Sequence, residues 1–275
     1  MMKLQRKSSG QKWLAALTVV LLGVSLAWGM RALARQRAAQ AVYAPPPAGM
    51  VLVPAGWFWM GSDDPEAEVN ERPRRRVYLP AYYIDIHEVT NREFKRFKPA
   101  HAYPAGQDDL PVTKVFKPEA IAYAEWAGKR LPTDAEWEKA ARGTDGRRYP
   151  WGDSFETNRA NLDPHKVAQA LGEVCELPVT ADGRRKVAPG SFPLGASPYG
   201  AQDMAGNVWE WVSDNHRDSA WLYLFGERSE RGIIRGGAYA YSHRQARTSH
   251  QAFEALNSTC NDVGFRCGLS ARPIR

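Results

Sequence analysis

Between Thr144 and Gly200 the chain carries no sustained periodicity of either kind. RRYPWGDSFETNRANLD and the residues after it are rich in turn formers, so neither the rhythm of an amphipathic helix nor the alternation of a strand persists. A connection this long without regular structure is uncommon inside a compact domain unless something pins it, and a bound metal is one such pin. The chain therefore has to hold a large loop region on a modest regular frame. Its ten tryptophans suit that task, because large flat side chains bury much apolar area where few regular elements are available to pack.

The frame lies mostly before that stretch. MVLVPAGWFWMGS alternates apolar and small residues and turns at Gly61, which reads as a strand pair. DDPEAEVNERPRRR reads as a loop and VYLPAYYIDIHEVT as strand. Thr90 is placed to cap a helix over Asn91–Phe97, with Glu93 completing a capping box. KPEAIAYAEWAGKR reads as an amphipathic helix. RLPTDAEWEKAARG reads as another, capped by Thr133, with Glu136 three residues on and Gly143 past its end. Strands, then helices, then loops and short strands, with no βαβ rhythm, predict an α+β fold.

The net charge is +7, yet Lys3, Arg6, Lys7, Lys12, Arg31, Arg35 and Arg37 supply that whole excess within residues 1–40, where no acid occurs. The remainder is near neutral, so no nucleic-acid surface is indicated. Trp13 to Met30 contains no charge and is just long enough to span a bilayer core as a helix. Two readings fit. One is a signal-anchor with residues 1–12 in the cytoplasm, four basic residues preceding the run and three following it. The other is a signal peptide cleaved near Ala32-Leu33-Ala34. Residues 31–47, with three consecutive prolines, read as a semi-rigid linker, and residues 48–272 as the folded domain outside the cytoplasm.

Seven stretches, MVLVPAGWFWMGS, YYIDIHEVTNREF, RLPTDAEWEKAARG, YPWGD, YGAQDMAGNVWEWVSD, IRGGAY and VGFRC, together resemble the sulfatase-modifying-factor family, whose founder is the formylglycine-generating enzyme. The resemblance spans about residues 48–272. It implies the family's loop-rich variant of the C-type-lectin fold, here preceded by one hydrophobic helix. The family holds copper oxidases that convert a sulfatase cysteine to formylglycine, iron-dependent sulfoxide synthases, periplasmic siderophore-maturation proteins, nitrite-reductase accessory proteins and members used only for binding. Fold alone does not choose among them.

Two calcium sites are implied. DMAGNVWE places Asp203 and Glu210 seven apart in a glycine-containing loop. On spacing alone the better reading is a surface turn with solvated acids. By the resemblance, Asp203, the carbonyls of Gly206 and Val208, and Glu210 form a structural calcium site of the oxygen-rich kind that Ca²⁺ takes; the family commonly has Asn where Asp203 stands. Asn161, the carbonyl of Leu162, Asp182 and the carbonyl of Arg184 match a second, although the stretch between them departs from the family pattern. The histidines, His87, His101, His165, His216, His243 and His250, are scattered and form no HExxH motif.

The copper members carry two cysteines, five apart, just after an RGGS-type motif, and such thiolates are the ligands Cu(I) prefers. In RGGAYAYSHRQARTSH those positions are Tyr241 and Ala246, and the serine after the glycines is Ala238. No copper site is expected. Cys267 matches a family disulfide cysteine, whose usual partner position is Ala141. Among Cys175, Cys260 and Cys267 the pairing stays open, with one cysteine left over.

Two functions remain. The first is an accessory or maturation domain, tethered to a bacterial inner membrane with the domain in the periplasm, or released there by cleavage. It would bind an envelope protein, with Trp221, Tyr223 and Phe225 either as a contact patch or packed within the domain. The second is an oxidoreductase with different chemistry in the equivalent cleft, lined by Tyr239, Tyr241, His243, Arg247 and His250.

Overall fold

The computed structural model describes residues 29–30, 41–163, 185–217 and 230–274. Nearly all of the hydrophobic run lies outside the described residues, as do His165, Cys175, Asp182, Arg184, Trp221, Tyr223 and Phe225. Among the described residues no helix is long and apolar enough to cross a membrane.

Two threonines open two of the three described α-helices. At α1 (Asn91–Phe97) the Thr90 hydroxyl accepts from Glu93 N at 3.3 Å while the Glu93 carboxylate accepts from Thr90 N at 2.8 Å. After α2 (Lys117–Trp126), the same box recurs at α3 (Asp134–Arg142), where Thr133 and Glu136 exchange bonds of 3.1 and 2.8 Å. Each box satisfies N–H groups that a helix start leaves without intrahelical partners. Gly143, at φ +74°, ends α3.

β1 (Met50–Val53) and β2 (Gly56–Met60) form where strands were expected, but not as a pair. β1 runs antiparallel to β4 (Tyr82–Asp85), which also pairs with β9 (Gly268–Ser270), while β2 pairs with β3 (Arg75–Leu79). A two-residue hairpin needs φ > 0 in its turn, and Pro54, in the Pro54-Ala55 connection, cannot adopt it. A third sheet has the order β7–β6–β5–β8, from β5 (Trp209–Arg217), β6 (Glu230–Arg235), β7 (Ala252–Ala255) and β8 (Val263–Gly264), with only β5 and β8 parallel.

α3 is buried around nearly its whole circumference. Trp137 on it packs with Tyr82, Ile84, Met204 and Val212. A larger cluster gathers Phe94, Tyr123, Trp209, Trp211 and Phe265, with Phe94 stacked on Tyr123 at 5.5 Å. Among the described residues between Thr144 and Val208, the single regular element is a 3-10 turn at Pro193–Gly195. The fold is α+β, with few helices and much loop.

Candidate functional site

The RGG motif ends β6, where Arg235 stands opposite Glu210 of β5. Arg235 is wholly buried. Its Nε donates to Asp134 Oδ1 (2.6 Å) and its Nη1 to the carbonyls of Thr248 and His250 (3.2 and 3.0 Å). Its Nη2 reaches Asp134 Oδ1 (2.5 Å) and Glu138 Oε2 (3.0 Å). All three guanidinium nitrogens thus donate hydrogen bonds, and Arg235 ties α3 to the 248–250 segment. Glu138 also accepts from Arg142 Nη1 and Gly61 N, each at 2.6 Å. Gly237, at φ +75°, lets the chain fold back; a Cβ there would lie 3.2 Å from Ala246 N.

The residues after the glycines do not converge on one cavity. Tyr241 is buried in the larger core cluster, edge-on to Trp209 at 5.4 Å. Burial, and the nearby Asp262, push its phenol up. Ala246 belongs to a separate small cluster with Ala160, Leu162 and Ala205. His243 stacks on Phe155 at 5.1 Å, and burial lowers its pKa. Arg247 and His250 turn toward Glu71: Arg247 Nη2 donates to Glu71 Oε1 at 2.6 Å, and Ser249 Oγ to Oε2 at 2.6 Å. His250 Nδ1 stands 3.6 Å from Glu71 Oε1, beyond hydrogen-bond length but close enough to favour the carboxylate. Burial works to raise Glu71, yet His250, Ser249, the Glu68 N–H at 3.0 Å and Arg247 outweigh it and hold the carboxyl at about 2. Arg247 also lines a pocket of about 320 Å³ with Arg74 and Arg148, whereas Tyr239 lines a different cleft of about 530 Å³.

The DMAGNVWE loop is held in left-handed backbone at Asp203 (φ 56°), Gly206 (φ 85°) and Asn207 (φ 62°). A Cβ on Gly206 would come within 2.4 Å of the Asn161 carbonyl oxygen, so this close crossing requires glycine. Asn207 fastens the crossing: its N donates to Asn161 O (2.9 Å), its Nδ2 to Glu88 Oε1 (3.0 Å), and its Oδ1 accepts from Asn161 Nδ2 (3.2 Å). Asp203 Oδ2 accepts from Gly190 N at 2.6 Å. Glu210 directs both oxygens at Arg266, each at 2.7 Å, and Trp137 Nε1 adds a third bond of 2.7 Å.

Glu88 is the residue that sequence reading missed. It is buried, and its Oε2 has no hydrogen-bond partner among the described residues. Burial pushes its pKa well up, and the negative charges of Asp203 and Glu210 push it further, opposed by Arg266. Asp203 is likewise raised by burial. The local sequence, IDIHEVT, mixes apolar and charged residues and does not single Glu88 out; its burial without a full set of partners is what marks it, since a lone buried carboxylate is rare. Among the described residues no three His, Cys, Asp or Glu side chains form a metal cluster. A cation here would have to draw on backbone carbonyls as well, which suits a hard, oxygen-seeking ion.

Cys267 is a free, buried thiol, pushed well up by burial and by Asp85. Cys260 is disulfide-bonded, so Cys260 and Cys267 are not joined to each other.

Residues 35–271 match the profile of the sulfatase-modifying factor enzyme 1-like domain. The chain belongs to this family. It is 32% identical to the formylglycine-generating enzyme of Bos taurus, over 83% of this chain and 76% of that protein. It is 30% identical to the inactive C-alpha-formylglycine-generating enzyme 2 of Mus musculus, over 81% of this chain and 86% of that one. The solved structure of PvdO from Pseudomonas aeruginosa shares the fold, with a TM-score of 0.60 at 24% identity, covering 80% of this chain and 94% of PvdO. An enzyme and a relative named inactive stand at nearly equal identity. Within the family, the decision falls to individual residues.

Proposed function

We propose that this chain is a binding or maturation member of the sulfatase-modifying-factor family, acting on another envelope protein, and not a copper oxidase. One observation carries the reading. The two positions where the family's copper members hold paired thiolates are Tyr241 and Ala246, and these pack into two separate core clusters. A phenol and a methyl group do not replace a soft bis-thiolate site. The inactive relative, nearly as similar as the enzyme, is consistent with such a role.

A structural Ca²⁺ at the 203–210 loop belongs to this proposal. The orphaned Glu88 Oε2 and the surplus of buried carboxylates over the single guanidinium of Arg266 support it. Glu88 and Asp203 would hold the ion with loop carbonyls of Gly206 and Val208, and Glu210 would act from behind through Arg266. The ion would supply positive charge and fix the loop. The uncharged run 13–30 and its basic flanks support an inner-membrane anchor with the domain in the periplasm.

Metal analysis of the full chain purified in detergent tests the core of the reading. Calcium as the bound metal, with no oxygen consumption, is the expected result. Stoichiometric copper or iron together with thiol-dependent oxygen uptake would replace it with an oxidoreductase.

A further inference from the structure

The cleft of about 530 Å³ has a charge pattern that the proposed function does not use. Lys114, Arg185 and Lys186 line it, and no Asp or Glu is among its described lining residues. Lys186 is the telling member. Its Nζ donates to the Pro111 carbonyl at 3.0 Å and to the Thr113 hydroxyl. Both acceptors are neutral, so this half-buried ammonium has given up water without gaining a carboxylate. Burial lowers it to about 8, Lys114 assists, and Asp262 opposes. Asp262 does not line the cleft, and burial raises its own carboxyl to about 7.

The other walls are partly aromatic and partly amide and aliphatic, with Asn91, Gln107, Leu110 and Asn261 among them. Tyr103 and Tyr239 line the cleft. His101, ring to ring with Tyr103 at 5.6 Å, has its pKa lowered by burial and by Lys98, which favours the uncharged imidazole. Lys114 adopts left-handed backbone at φ 60° without being glycine, with its N donating to Cys260 O at 3.1 Å. Strained positions of this kind gather at functional sites and persist only where the surroundings enforce them. The volume falls in the small-molecule range, and an apolar lining with a few convergent polar groups is what such pockets present.

We propose that this cleft binds a small organic carboxylate, with its anionic end at Lys186 and Arg185 and its apolar body against Tyr103 and Tyr239. An anion there would give Lys186 the charge-assisted partner it lacks, and such bonds are the stronger kind. A neutral ligand of the same shape would leave the cations unmatched. The inference does not depend on the protein-binding reading.

Calorimetric titration of the full chain with indole-3-acetate, benzoate and octanoate, each beside its neutral amide, tests it. At least one acid should bind saturably and its amide at least about ten-fold more weakly, as expected for losing one hydrogen bond to a charged group. Lys186→Gln should weaken the acid by about ten-fold and leave the amide unchanged. Arg185→Gln and Lys114→Gln, at exposed positions, provide the same comparison should Lys186→Gln fold poorly. Equal binding of acid and amide, acid affinity unchanged in the charge variants, or no saturable heat from any of the three acids would overturn the proposal.

Discussion

Glu71 shows how far a single residue's role can lie from its place in the sequence. It falls in a polar stretch that reads as loop, yet it is buried and receives Arg247 and Ser249 from 176 and 178 residues away. Arg247 and His250 read as cleft residues because charged and imidazole groups in a glycine-led segment suggest chemistry. The structure directs both at this carboxylate, and no local pattern announces a contact of that separation. Because Glu71 is held at about 2 in the fold, below its ordinary 4.5, its stabilisation is complete above pH 4.5 and drains away as pH falls toward 2. Glu71→Gln should lower stability by about 3 kcal/mol at neutral pH, since it leaves the buried Arg247 without its carboxylate. Urea midpoints at pH 7 and pH 3 should show the gap between the two proteins narrowing in acid; a gap independent of pH would remove the ionic account.

At the level of elements, legibility followed locality. Both capping boxes formed at the residues that signalled them, Thr90 with Glu93 and Thr133 with Glu136, because a cap is decided within four residues. Thr133→Ala should cost about 1 kcal/mol, read as a modest fall in melting temperature with the far-ultraviolet dichroism retained. Strand pairing was harder to read. β1 and β2 are adjacent in sequence, yet each pairs with a later strand, because pairing depends on turn geometry and distant partners. α3 carries Asp134, Glu138 and Arg142 into the interior. A sequence full of charges suggests a solvated helix face, and the burial is explained by distant partners: Arg235 from β6 pairs with Asp134 and Glu138, while Arg142 pairs with Glu138 and donates to the Gly61 carbonyl. Arg235→Lys keeps the charge but cannot supply five N–H donors in a fixed plane. It should therefore destabilise by more than Thr133→Ala, by about 3 kcal/mol on thermal melts.

For the whole molecule, the sequence announces that long loops need a pin, and the loop between Asp203 and Glu210 is where the pin is proposed. The acids and the glycine of DMAGNVWE point to this loop, but not to which of its acids is left without a partner. Glu210 is committed to Arg266 and Trp137, and Glu88, from the segment before α1, carries the unpartnered oxygen. An ion that binds only the folded state stabilises it by about 2.7 kcal/mol at a concentration one hundred times its dissociation constant. Adding Ca²⁺ to chelator-treated protein should therefore raise the melting temperature. Glu88→Gln separates a cation site from a merely buried acid. Without the ion, Glu88 must hold a buried carboxyl against Asp203 and Glu210, so the glutamine variant should be at least as stable as wild type in chelator. With Ca²⁺ the order should reverse, since the variant loses a ligand charge and most of its response. Should neither protein respond to Ca²⁺, the loop is held by hydrogen bonds alone, and Asn207, which joins the 161, 187 and 88 segments, becomes the pin.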